Sequence, residues 1–125
     1  MGSIGELEKP MDEITFFDLL KNKLGLKYLR HTNKLNKKIS KVSVVVGSGS
    51  FAIKDSIESN VDAFITSDFK YHNFFEADNK AILIDIGHYE SEKHIKLFIK
   101  EFLNKKLPNF TVLLSEQNIN PVNYY

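Results

Sequence analysis

With 125 residues, 42% of them hydrophobic and 26% charged, the chain has the size and balance of one globular domain rather than of a disordered segment. It contains no cysteine, which excludes disulfides, thiolate metal ligands and a cysteine nucleophile, and leaves histidine and carboxylate oxygen as donors for any metal. A net charge of +1 predicts no special affinity for nucleic acid or membranes, and no apolar run reaches the length of a bilayer span, so a soluble, cytoplasmic protein is expected.

The N-terminal stretch MGSIGELEKPMDEI lacks the apolar core of a signal segment. From Pro10 to Leu24, the residues Ile14, Phe16, Phe17, Leu20 and Leu24 fall close to helical spacing, with Gly25 as a stop, and this predicts an amphipathic helix. LKYLRHT then reads as a short strand, and NKLNKKIS as its polar connection onward. No acidic residue lies between Asp18 and Asp55, whereas Lys21, Lys23, Lys27, Arg30, Lys34, Lys37, Lys38, Lys41 and Lys54 do. A nucleic-acid footprint has such a charge bias, but without interleaved exposed aromatics the expectation is a solvated loop and helix edge, open to a protein partner.

From Lys41 onward the chain repeats an aliphatic run, a turn and a helical period. KVSVVV leads through GSGS to FAIKDSIESN; DAFITS leads to DFKYHNFFEAD; AILIDI leads to GHYESEKHIKLFIKEFLNKKL; and FTVLLS reads as a last strand. The alternation predicts an α/β fold, a mostly parallel or mixed sheet built from βα units with helices packed on its faces, forming a single domain over residues 1–125. Ile95, Phe98, Ile99, Phe102 and Leu103 repeat on one face of the final helix until Pro108 ends it, so tertiary packing is expected to stabilise it.

Ligands in open α/β sheets collect at the carboxyl ends of strands, and three polar clusters fall at such ends. In GSGS, Gly47 and Gly49 allow a tight turn whose N–H groups, with Ser48 and Ser50, suit an anion or phosphate, but the first reading is a plain turn with a serine helix cap. In SDFKYH, His72 could act as a ligand or acid/base group with Asp68 and Lys70 as charge partners, or simply be a solvated histidine. In DIGHYESEKH, His88 and Glu92 stand four apart on one helical face, the spacing at which an imidazole and a carboxylate can share a divalent ion. Glu90 and His94 repeat that spacing, but two residues turn a helix by about 200°, so both pairs cannot face one site. His88 sits at the strand-to-helix junction and its pair is preferred to Glu90 and His94, although on spacing alone acidic capping of the helix start comes ahead of metal binding.

Taken together, KVSVVVGSGSF, DAFITSDFKYHNFFEAD, AILIDIGHYESEK and the tail NINPVNYY, with SIGEL and LRHT before them, resemble the C-terminal half of the NIF-three-like dinuclear metal proteins, also called GTP cyclohydrolase 1 type 2. The resemblance runs from Ile4 to Tyr125. It implies that His88 and Glu92 are metal ligands. It also implies that Ser50, Asp68, Lys70 and His72 border the same pocket, and that the complete site holds two divalent ions of zinc, manganese or iron that activate a bridging water for hydrolysis. It implies a homo-oligomer, a hexameric ring, acting on a small molecule such as a nucleotide. The family's remaining ligands, a histidine pair and an aspartate, belong to an N-terminal lobe, so the expectation is a C-terminal lobe that is inactive alone. The alternative is a non-catalytic metal-binding or oligomerisation module. Val46 and Ser67 stand where the family commonly has glycine, which bears on the shape of the loops but not on His88 or Glu92.

Overall fold

The three aliphatic runs after Lys41 become the parallel centre of a sheet because they are short, rich in β-branched residues and apolar on both faces. The computed structural model describes residues 2–117 and 119–124. Their contacts divide the chain into two compact units, Met1–Ser91 and Glu92–Tyr125. The strands are β1 (Ser3–Asp12), β2 (Arg30–His31), β3 (Lys38–Ser48), β4 (Ala63–Ser67) and β5 (Ile82–Asp85). The helices are α1 (Glu13–Leu24), α2 (Ile53–Glu58), α3 (His88–Glu92) and α4 (Ile95–Lys106), with 3-10 segments at Ser50–Ala52 and Tyr71–Ala77.

The sheet runs β1-β3-β4-β5-β2. β3, β4 and β5 are parallel, and the edge strands β1 and β2 are antiparallel to β3 and β5. The α/β expectation is met, as a mixed five-stranded sheet.

Strand alternation divides the core between the two faces. Ala63, Ile65, Ile82, Ile84 and Ile86 point to one side and pack with Phe16 and Phe17 of α1, Leu26 and Ile39. Phe64, Leu83 and Ala81 point to the other and pack with Ile53 of α2, Val61, Phe69 and Ala77. Phe64, Ile82, Leu83 and Ile84 are completely buried, and each contributes on the order of 1.5–3 kcal/mol of hydrophobic stabilisation.

Five features differ from the sequence expectations. The N-terminal segment is an edge strand, and the helix begins at Glu13 rather than near Pro10. Asp12 caps it, accepting hydrogen bonds from the Thr15 N–H at 2.9 Å and the Thr15 hydroxyl at 2.6 Å. Pro10 is tolerated in β1 because it lies where the pairing with β3 is interrupted, between Glu6 and Met11, and an edge strand needs donors on one side only.

DFKYHNFFEAD forms a 3-10 segment rather than an α-helix. The turn after β3 has no side-chain cap. Gly49 precedes the 3-10 segment, and its carbonyl accepts the Ala52 N–H at 3.0 Å, so the expected serine cap is absent there.

The last helical stretch is two helices, α3 and α4, separated by a turn at residues 93–94. Within the second unit, Ile95, Phe98, Ile99 and Phe102 of α4 are exposed and Leu103 is half-buried. α4 ends with the Leu107 N–H bonded to the Leu103 carbonyl at 2.7 Å, just before Pro108, as expected.

FTVLLS forms no strand: residues 111–115 pair with no other strand among the described residues, and Phe110 and Leu113 are exposed. Asn118 and Tyr125 of the tail motif lie outside the described residues. No helix among the described residues is long and apolar enough to cross a membrane.

Candidate functional site

The carboxyl ends of β3, β4 and β5 lie side by side, and each is followed by a residue in the left-handed backbone region or closely preceded by one. Gly47 near the end of β3 has φ 71°, Asp68 after β4 has φ 61°, and Gly87 after β5 has φ 84°. These turns bring together side chains that are far apart in sequence.

Asp68 Oδ2 lies 2.6 Å from His88 Nδ1, with both side chains about half exposed. A carboxylate can only accept, so a neutral imidazole making this contact carries its proton on Nδ1 and its lone pair on Nε2. His88 opens α3 and Glu92 closes it, four residues apart as the spacing predicts.

Ser91, one turn into α3, ties this helix start to the end of β3. Its hydroxyl donates to the His88 carbonyl at 2.7 Å and accepts the Gly47 N–H at 2.9 Å. The Gly47 carbonyl in turn accepts from the hydroxyls of Thr66 at 2.9 Å and Ser67 at 2.6 Å. Ser67 therefore makes a bond that a glycine could not, while Val46 is exposed.

The GSGS segment is packed rather than open. The Gly47 N–H is already bonded to Ser91, and Gly49 is buried, with space for its missing side chain filled by Thr66 Oγ1 and Val45. Ser48 is exposed opposite Ser67 in the β3–β4 register, and Ser50 is half-buried at the start of its 3-10 segment. Lys70 and His72 are exposed. The Lys70 N–H donates to Asn73 Oδ1 at 2.9 Å, and the His72 ring meets Tyr71 edge-on, with centroids 5.6 Å apart.

Asp85 is a member of the site that sequence reasoning missed. It is 4% exposed and ion-pairs with Arg30, one of the cations of the basic window, while accepting the N–H groups of Phe69 at 2.9 Å and Gly87 at 3.0 Å. The signal was present as a charged residue inside the aliphatic run AILIDI, since a buried carboxylate requires dedicated partners. A separate cavity of about 500 Å³ lies on the β2 side, between His31, Asn33, Tyr71 and Asn79, and none of the predicted site residues lines it.

The donor set fits a metal in kind and falls short in number. An imidazole held through Nδ1 by a carboxylate is how proteins orient histidine ligands, and nitrogen with carboxylate oxygen suits zinc, manganese and iron. No group of three or more candidate ligands occurs among the described residues.

Fold and site together define an α/β protein with its polar residues gathered where three parallel strands end. Residues 1–121 match the profile of the family described as Duf34/NIF3 (NGG1p interacting factor 3), and the chain belongs to that family. A Clostridium perfringens protein named GTP cyclohydrolase 1 type 2 homolog is 34% identical over 110 residues, covering 86% of this chain and 41% of the relative. A Campylobacter jejuni protein of the same name is 33% identical over 120 residues, covering 95% and 47%.

Among solved structures, a Staphylococcus aureus protein superimposes with a TM-score of 0.84 at 27% identity over all of this chain and 42% of its own. A Bacillus cereus protein related to NIF3 superimposes with a TM-score of 0.82 at 26% identity, over all of this chain and 36% of its own. The chain thus spans less than half the length of each.

Proposed function

We propose that the chain contributes His88 and Glu92 to a divalent-metal site of the kind used in hydrolysis, with the remaining ligands supplied by a second lobe. The observation that carries this reading is the Asp68–His88 hydrogen bond at the strand ends. Asp68 holds the proton on Nδ1 and so presents Nε2 as the ligating nitrogen, and Ser91 anchors the backbone carbonyl of the same residue. The family resemblance supports Glu92 as the oxygen donor, and the GTP cyclohydrolase 1 type 2 homologs, more than twice as long as this chain, support a site completed by residues outside it.

Metal bound there, two ions in the complete site, would supply a water activated for attack at neutral pH. His72, Lys70 and Asp68, together with Ser48, Gly49 and Ser50, are the residues proposed to border a small-molecule, nucleotide-sized substrate. On this reading the protein is a cytoplasmic homo-oligomer, and this chain alone is inactive because two protein ligands fall short of the three usual at catalytic zinc.

The test is titration of zinc or manganese into the chain, alone and with the N-terminal lobe of a longer relative added, beside a His88→Ala control. Binding that appears only with the lobe and disappears in the control supports the reading. Equal binding by the control removes His88 as a ligand.

The exposed apolar residues of α4, Ile95, Phe98, Ile99 and Phe102, favour a second reading, an oligomerisation module without catalysis. It predicts concentration-dependent assembly of this chain and no turnover above the metal-free blank when the lobes are combined.

A further inference from the structure

The two segments that carry Asp68 and His88 are fastened together by a third side chain that ligation itself does not use. Asp85, the last residue of β5, accepts the Phe69 N–H at Oδ2 and the Gly87 N–H at Oδ1, while Arg30 bonds to the same Oδ2. Phe69 directly follows Asp68, and Gly87 directly precedes His88. Arg30 also donates to the Phe69 carbonyl at 2.9 Å, so the N–H and the C=O of that residue are both held. The Arg30 guanidinium carbon lies over the Phe74 ring, 5.4 Å from its centre, a cation–π contact that also holds it.

The backbone that this fastening holds turns sharply at Asp68, whose φ of 61° lies in the left-handed region that Asp and Asn enter more readily than other non-glycine residues, as Asn36, Asn60, Asp78 and Asn79 also do here. Asp85 and Arg30 fix the residue that immediately follows this turn. Phe69 and Asp85 are 3% and 4% exposed, so their mutual bond is shielded from competing water.

We propose that Asp85, with Arg30, is a positioning residue for His88: it sets the spacing between the ends of β4 and β5 so that Asp68 Oδ2 meets His88 Nδ1. Its functional consequence rests on the reading of His88 as a metal ligand, but the positioning can be measured in the metal-free chain. A carboxylate that merely stabilised the fold would leave the His88 ring unchanged in a folded variant. A positioning carboxylate would not, because a neutral histidine without the Asp68 contact favours the other tautomer.

The experiment is side-chain 15N NMR of the metal-free chain at a pH where histidines are neutral, with His88→Ala to assign the resonance. The wild type should show the Nδ1–H tautomer, and Asp85→Asn should shift His88 toward the Nε2–H form while circular dichroism stays that of a folded chain. A folded Asp85→Asn with the wild-type tautomer overturns the proposal.

If Asp85→Asn does not fold, Arg30→Gln decides, since its side chain is 59% exposed and its removal leaves the carboxylate with both N–H partners. A partial tautomer shift is then expected, and an unchanged ring overturns the proposal. Zinc titration of the same proteins with the N-terminal lobe of a longer relative added should show about tenfold weaker binding in Asp85→Asn. Zinc binding that survives His88→Ala unaltered rejects the metal reading, and the tautomer measurement still judges Asp85.

Discussion

Asp68 Oδ2 and His88 Nδ1 stand 2.6 Å apart, joining the carboxyl end of β4 to the first residue of α3 across twenty residues of sequence. Both side chains are about half exposed, and a pair in that setting contributes roughly 0–1 kcal/mol to folding. Its effect is on orientation rather than on stability.

Asp68→Asn should therefore leave the melting temperature nearly unchanged while lowering the metal affinity of the completed site by about 10- to 100-fold, because an amide can donate as well as accept and no longer selects one tautomer. Calorimetric titration beside the wild type measures this. Unaltered affinity would remove Asp68 from the site.

Ser91→Ala should cost about 1–3 kcal/mol, since it leaves the buried Gly47 N–H without its acceptor. Denaturant unfolding of the purified chain reads this directly. A loss within experimental error would mean that water replaces the hydroxyl at that amide.

A methyl group at Gly49 would collide with Thr66 Oγ1 and sit 2.8 Å from a Val45 methyl, whereas at Gly5 it meets nothing within 4 Å. Gly49→Ala is expected to destabilise by about 1–3 kcal/mol through overpacking, and Gly5→Ala to stay within about 0.5 kcal/mol of wild type. The pair is compared by thermal unfolding. Equal melting temperatures would show that β3 and β4 separate to admit the methyl at little cost.

The Thr15 hydroxyl and N–H bonded to Asp12 hold its carboxyl below the ordinary value of 3.8. A lowered folded pKa means that this contribution to α1 is fully present above the ordinary value and is lost as the pH falls through the lower, folded value. Amide exchange at Thr15 should accelerate over that acidic range in the wild type. In Asp12→Ala it should be fast already at neutral pH, and a wild-type exchange rate there would exclude Asp12 as the cap.

Much of the sheet was legible because its central strands are aliphatic runs bounded by turns, a pattern that burial on both faces imposes locally. β1 was not, since SIGELEKPMD is charged and interrupted by proline; it becomes a strand only because β3 offers it an edge. FTVLLS has the strand composition and finds no such edge among the described residues, so composition alone misleads there. The α3–α4 stretch shows the same limit, because an apolar face at helical spacing states what could be buried and not whether a partner covers it.

For the site, spacing along the chain already states which residues stand four apart on one helix and which clusters follow strands. It directed attention to His88 and Glu92 as a pair, and the family resemblance added Asp68 at the border of the same pocket. That Asp68 meets His88, that Ser91 closes the Gly47 amide, and that Asp85 draws Phe69, Gly87 and Arg30 together follows from the fold and not from spacing. Those contacts join residues that are distant in sequence, and hydrogen bonds a few ångströms long exist only after the parallel pairing of β3, β4 and β5 has aligned the strand ends.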